Sequence, residues 1–145
     1  MYLVDTNVVS AGAPSRLAPA GLVVWMDTHS PLLWLSAVTV AEIDDGIAKL
    51  RREGATRRSA DLAAWHEAVL HLYGDRILAF DTATARIAGA LSDRARGLGH
   101  APGLSEIIIA ATAQRHSLTI LSRNIRHFAP LNAPTLDPFT ELPPT

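Results

Sequence analysis

Apolar positions along the chain fall into two alternating patterns. Short runs at residues 2–4, 32–35, 76–80 and 118–121 are apolar without polar alternation, which predicts strands buried on both faces of a sheet. Longer stretches between them carry helical spacing. Residues 39–52 place Ile43, Ile47 and Leu50 on one stripe, and residues 59–72 do the same with Leu62, Trp65, Val69 and Leu72 before Gly74. Asp81 stands where an N-cap would, and the helix it opens carries Ile87 and Leu91 before breaking at Gly97 and Gly99. Residues 104–116 are apolar nearly all round (Ile107, Ile108, Ile109, Ala110, Ala111), the pattern of a central, covered helix. Strands alternating with helices predict an α/β fold, a parallel sheet sandwiched between helices. Residues 11–19 and 97–103 read as connections, and the proline-rich tail after Ala129 as a short edge strand followed by a loose end. No repeat or composition shift divides the chain, so the expectation is a single domain over residues 1–139 with a Pro-rich tail at 140–145.

Composition narrows the classes. A chain of 145 residues that is 48% hydrophobic and 19% charged suits one domain with a sizeable core and excludes disorder as the main state. Zero cysteine excludes disulfides, a thiol nucleophile and thiolate metal ligands. With 14 acidic and 13 basic side chains the net charge is −1, so no general basic field nominates a nucleic-acid partner. The first residues carry no basic segment or long apolar run, and the apolar stretch at 107–113 is far short of the ~20 residues of a membrane span. The expectation is a soluble, cytoplasmic protein with no membrane partner.

In an open α/β sheet, ligands bind beyond the carboxyl ends of the strands. Asp5 directly follows the first predicted strand, and Ser122, Arg123 and Asn124 follow the fourth. Glu42 and Glu106 are expected in the first turns of two helices. Three carboxylates converging on one crevice would repel one another and push at least one pKa up. A hard, oxygen-preferring ion such as Mg²⁺ or Mn²⁺ resolves that conflict and can activate water at a phosphodiester.

The segment Met1-Tyr-Leu-Val-Asp-Thr-Asn-Val-Val-Ser10 resembles the opening of PIN-domain ribonucleases, especially toxins of the VapC and FitB type from bacterial type II toxin–antitoxin pairs. Leu35-Ser-Ala-Val-Thr-Val-Ala-Glu42 resembles their second motif. Ile109-Ala-Ala-Thr-Ala113, then Leu118-Thr-Ile-Leu-Ser-Arg-Asn124 and Phe128, resemble their third and fourth. The order and separations fit from residue 1 to about 139. The resemblance implies a three-layer PIN-like sandwich and a metal-dependent endoribonuclease that hydrolyses RNA. Asp5 matches the first metal-binding aspartate and Glu42 the glutamate, while Glu106 occupies the place of the third acid, usually aspartate. The fourth acid falls at the Asn124 or the His127 position, and this chain has an acid at neither. The resemblance thus implies Asp5 and Glu106 as metal ligands, Glu42 completing the shell or orienting water, and Asn124 in a secondary polar role. It also implies a homodimer and a cognate antitoxin. Rival readings are a PIN domain turned binding module, and a nuclease acting on DNA.

Each residue also has a plainer reading. Thr39-Val-Ala-Glu42 is a capping-box pattern in which Glu42 would bond back to the Thr39 amide. Asp5 could be a turn residue, with Asn7 or Ser10 starting the next helix, and Glu106 a favourable charge near a helix start. Asp44 and Asp45 read as a solvated face, and His127 as a loop histidine or a phosphate contact. Arg123 and Arg126 flank Asn124 and are the candidates for holding a phosphate by paired hydrogen bonds. Lys49, Arg51, Arg52, Arg57 and Arg58 form a basic run that suits an RNA backbone, a partner's acidic tail or simply an exposed helix end.

Overall fold

Tyr2, Leu3 and Val4 are all buried yet reach opposite faces, because successive side chains on a strand alternate. Tyr2 and Val4 join Leu33, Leu35, Leu121, Ile43 and Val69 in one core, while Leu3 joins Ile120, Ile107, Ile109 and Phe128 in a second. Two cores on the two faces of one sheet explain the unbroken apolar runs and produce the expected three-layer α/β sandwich. The computed structural model describes residues 1–14 and 16–145.

The strands are β1 (Tyr2–Val4), β2 (Leu33–Ser36), β3 (Ile77–Leu78), β4 (Thr119–Leu121) and β5 (Thr135–Leu136). They pair in parallel in the order β3-β2-β1-β4-β5, with Tyr2 beside both Leu33 and Thr119. The helices are α1 (Thr6–Val9), α2 (Ala20–Thr28), α3 (Ala37–Arg52), α4 (Thr56–Tyr73), α5 (Thr82–Gly97), α6 (Leu104–His116) and α7 (Ile125–Phe128). Helix α6 has the predicted bounds, and its residues Ile107 to Ala113 are all buried. Asp81 caps α5 as expected, accepting from Thr84 N (2.9 Å) and Thr84 Oγ1 (2.8 Å).

Three expectations change. The connection at 11–19 holds a 3-10 turn at Ser10–Gly12, and Ser15 within it lies outside the described residues. The tail is not loose: Pro143 is buried and the Pro144 carbonyl accepts from the Tyr2 hydroxyl. Helix α3 begins two residues before the predicted start, because Ser36 rather than Thr39 is its N-cap and accepts from Val38 N at 3.2 Å. Glu42 is therefore the sixth helical residue, in the second turn and not the first, and the capping-box reading falls.

Candidate active site

The strand order reverses direction at β1: the chain proceeds from β1 to β2 and β3 on one side, then crosses to β4 and β5 on the other. Such a switch point leaves a crevice at the carboxyl ends of the two central strands. Asp5 emerges there from β1 and Ser122 from β4, held together by Asp5 N donating to the Leu121 carbonyl (2.9 Å). The Asp5 side chain is nearly fully buried and does two jobs. Its Oδ1 accepts from Thr6 N (2.8 Å) and so caps α1, while Oδ2 accepts from Ser122 Oγ (2.7 Å) and Asn7 Nδ2 (3.1 Å). The capping role is thus Asp5's own, not that of Asn7 or Ser10. Asn7 instead bridges the two strand ends, its Oδ1 accepting from Arg123 N (3.2 Å). Asn124 N in turn donates to Ser122 Oγ (2.9 Å).

Asp5, Glu42, Glu106, Arg123 and Asn124 line one cleft of about 370 Å³. Glu42 is an exposed residue whose Oε1 accepts from Thr6 Oγ1 (2.9 Å), which turns its carboxylate into the cleft. Glu106 lies in the first turn of α6, after Gly103 at the N-cap. Gly103 has ordinary helical-approach backbone angles (φ −67°, ψ 157°), so its conformation does not demand glycine. What glycine provides is room: a Cβ there would meet the Glu106 carboxylate, which would have to shift. On its other side Glu106 Oε1 lies 3.6 Å from His127 Nδ1, so His127 is not an isolated loop histidine but the neighbour of a cleft acid.

The cations divide. Arg123 lies at the cleft with its guanidinium over the Phe139 ring, 4.5 Å from the centroid. Arg126, expected beside it, lines a separate groove with Arg94 and His100. Its place at the cleft is taken by Arg16, which sequence reasoning missed because it sits in a connection with no flanking pattern. Arg58 and Lys49 of the basic run border an adjoining depression next to Glu42 and Arg16. Asp44 and Asp45 are exposed as expected, and Asp44 Oδ1 also meets the buried His66 Nδ1 at 3.0 Å.

Burial pushes the Asp5 carboxyl above its usual pKa and the negative charge of Glu106 adds to this, against the hydrogen bonds from Ser122, Thr6 and Asn7. Loss of water likewise raises Glu42, reinforced by Asp5 and Glu106 and opposed by the Thr6 and Ser105 hydroxyls. The three acids feel one another as like charges, the conflict a hard cation relieves. Their donors are all carboxylate oxygens, the ligand type of Mg²⁺ or Mn²⁺. Among the described residues no three His, Asp or Glu side chains come close enough to cage an ion. A fit is therefore to an ion held by one or two carboxylates and otherwise by water or phosphate oxygens, as Mg²⁺ commonly is.

Comparison with known proteins bears on the family and the fold. The PIN domain family profile matches residues 2–131. Toxin FitB of Neisseria gonorrhoeae is 34% identical over 141 residues, covering 96% of this chain and 99% of that protein. The VapC ribonuclease Y4jK of Sinorhizobium fredii is 29% identical over 143 residues, covering 96% and 98%. The crystal structure of FitAcB from N. gonorrhoeae superposes with a TM-score of 0.82 at 34% identity, over 95% of this chain and 98% of that one.

Proposed function

The chain belongs to the PIN-domain family, and from that premise we propose that it is the toxin of a type II toxin–antitoxin pair, a Mg²⁺- or Mn²⁺-dependent endoribonuclease. The observation that carries the reading is the cleft at the β1/β4 switch point, where Asp5, Glu42 and Glu106 share one space and two of them have raised pKa values. A cation bound there would neutralise crowded charge, lower the pKa of a water and stabilise the phosphate in the transition state.

The side chains have distinct tasks. Asp5 and Glu106 would hold the ion. Glu42, its carboxylate steadied by Thr6, would complete the shell through a bound water or orient the attacking water. Arg123, stacked on Phe139, is placed to grip a phosphate oxygen, and Asn124 offers a polar contact beside it. In the hydrolysis the water oxygen bonds to phosphorus, one bridging P–O bond breaks, and the leaving oxygen takes up a proton. The relatives named Toxin FitB and VapC ribonuclease support both halves of the reading. A cognate antitoxin, a homodimer and a cytoplasmic site of action accompany it.

A second reading has one observation in its favour. The lack of three ligands at caging distance among the described residues, with Asn124 and His127 where a fourth acid would stand, suits a PIN domain that binds but does not cut. Incubation of the purified protein with structured RNA and with DNA, with Mn²⁺ or with EDTA, separates these readings. The toxin reading expects RNA cleavage that EDTA abolishes. Cleavage of DNA alone would move the substrate class, and no cleavage of either would leave the binding module.

A further inference from the structure

The groove that holds Arg126 is separate from the cleft and shares no lining residue with it. It has a volume of about 470 Å³ and is lined by Arg94, His100, Arg126, Pro130 and Asn132, with no acidic residue in its lining. Arg94 and Arg126 are both exposed, and neither enters an ion pair among the described residues. Cations at a helix end have a plain explanation in the helix dipole. That accounts for Arg94 in the last turn of α5; Arg126 also sits in a last turn, but of the one-turn helix α7, whose dipole is small. Two guanidinium groups brought from different elements to one concave, acid-free surface fit an anion, and planar guanidinium pairs fit phosphate best.

The groove is also close to the cleft along the chain. Asn124 lines the cleft, Arg126 lines the groove, and the whole of α7 rises only about 6 Å. Arg126 is thus within reach of a strand that leaves the cleft past Asn124. The groove has no Phe, Tyr or Trp in its lining, so its dominant groups are the two guanidiniums, which suit the phosphate backbone.

We propose that the Arg94–Arg126 groove binds backbone phosphates of a single-stranded RNA that extends out of the cleft, gripping it without regard to sequence. The proposal rests on the ribonuclease reading, and its test keeps the two apart. In an Asp5→Asn background, which removes cleavage, binding of a long fluorescein-labelled single-stranded RNA of mixed sequence and of a tetranucleotide is measured by anisotropy against salt. Adding Arg94→Gln and Arg126→Gln should reduce the slope of log K against log salt for the long RNA by roughly 1.4, at about 0.7 per phosphate contact. The tetranucleotide should lose less. Equal affinities and slopes with and without the arginines would overturn the groove while leaving the nuclease reading intact. If the protein with its native groove neither binds nor cuts either RNA, both fall. Unchanged circular dichroism and Tm, expected for two exposed side chains, confirm that the variant is folded.

Discussion

Asp5 and Asp81 have the same local description and opposite chemistry. Each follows a strand of the sheet, and each caps the helix after it, Asp5 through Thr6 N and Asp81 through Thr84 N. Asp81 is open to water, and hydrogen bonds from the Thr84 amide and hydroxyl, with Arg115 3.4 Å away, hold its carboxyl below the usual range. Asp5 also accepts three hydrogen bonds, yet burial and the charge of Glu106 hold it above that range. An acid whose surroundings favour its charge is part of the scaffold. An acid whose surroundings disfavour its charge, beside two others, is the candidate for a partner that brings positive charge. The difference lies in position: β1 is at the switch point of the sheet and β3 at its edge.

The contrast can be broken at several places. Asp5→Asn should lower RNA cleavage by at least about 10²-fold, the scale of loss when a reacting group is mispositioned, whereas Asp81→Asn should cut RNA at the wild-type rate. Gly103→Ala should weaken Mn²⁺ binding severalfold by displacing the Glu106 carboxylate, as read by calorimetry. Its Tm should hold or rise slightly, since the backbone there accepts alanine. Asp81→Ala should lower Tm by a few degrees through loss of the α5 cap. Glu42→Gln should do the reverse and raise Tm modestly in metal-free buffer, because it removes a charge that folding disfavours while Gln still accepts from Thr6.

The smallest effect is in pH, and the signs differ. A lowered pKa gives stability that is present above the unfolded value and lost as pH falls. The advantage of wild type over Asp81→Ala should therefore shrink on acidification. A raised pKa makes ionisation a cost that is complete above the folded value and vanishes as pH falls toward the unfolded one. The advantage of Glu42→Gln over wild type should shrink over that range too, from the opposite side. Thermal melts from neutral to acid pH without divalent ions test both.

What could be read from the chain depended on the length of each element and the range of each contact. The interior of α6 was legible because thirteen residues carry a continuous apolar signal, and the four main strands because both faces of the sheet are covered. Helix α2 was missed. Its sequence Ala-Gly-Leu-Val-Val-Trp-Met-Asp-Thr has no polar stripe, and Pro19 at its N-cap provides no side-chain hydrogen bond. Helices α1 and α7 are single turns, too short for periodicity to register. That shortness is why Arg123 and Arg126 seemed neighbours: one turn of α7 sends them to different surfaces. The three acids were legible from their positions relative to strand ends and from family resemblance. Arg16 was not, nor was the space that Gly103 leaves for Glu106, since both depend on contacts that sequence spacing does not encode. The anchoring of Pro144 on Tyr2, across the full length of the chain, was hidden for the same reason.

The near balance of 14 acids and 13 bases argued at first against a nucleic-acid partner. Within that balance three of the acids share the cleft with Arg16 and Arg123, while Arg94 and Arg126 line a separate groove. That the gathered acids exist to hold a cation is tested most directly by calorimetric titration of Mn²⁺ into wild type, Asp5→Asn and Asp81→Asn. The wild type and Asp81→Asn should bind alike, with Asp5→Asn weaker by about 10-fold or more. Equal binding by all three would contradict it.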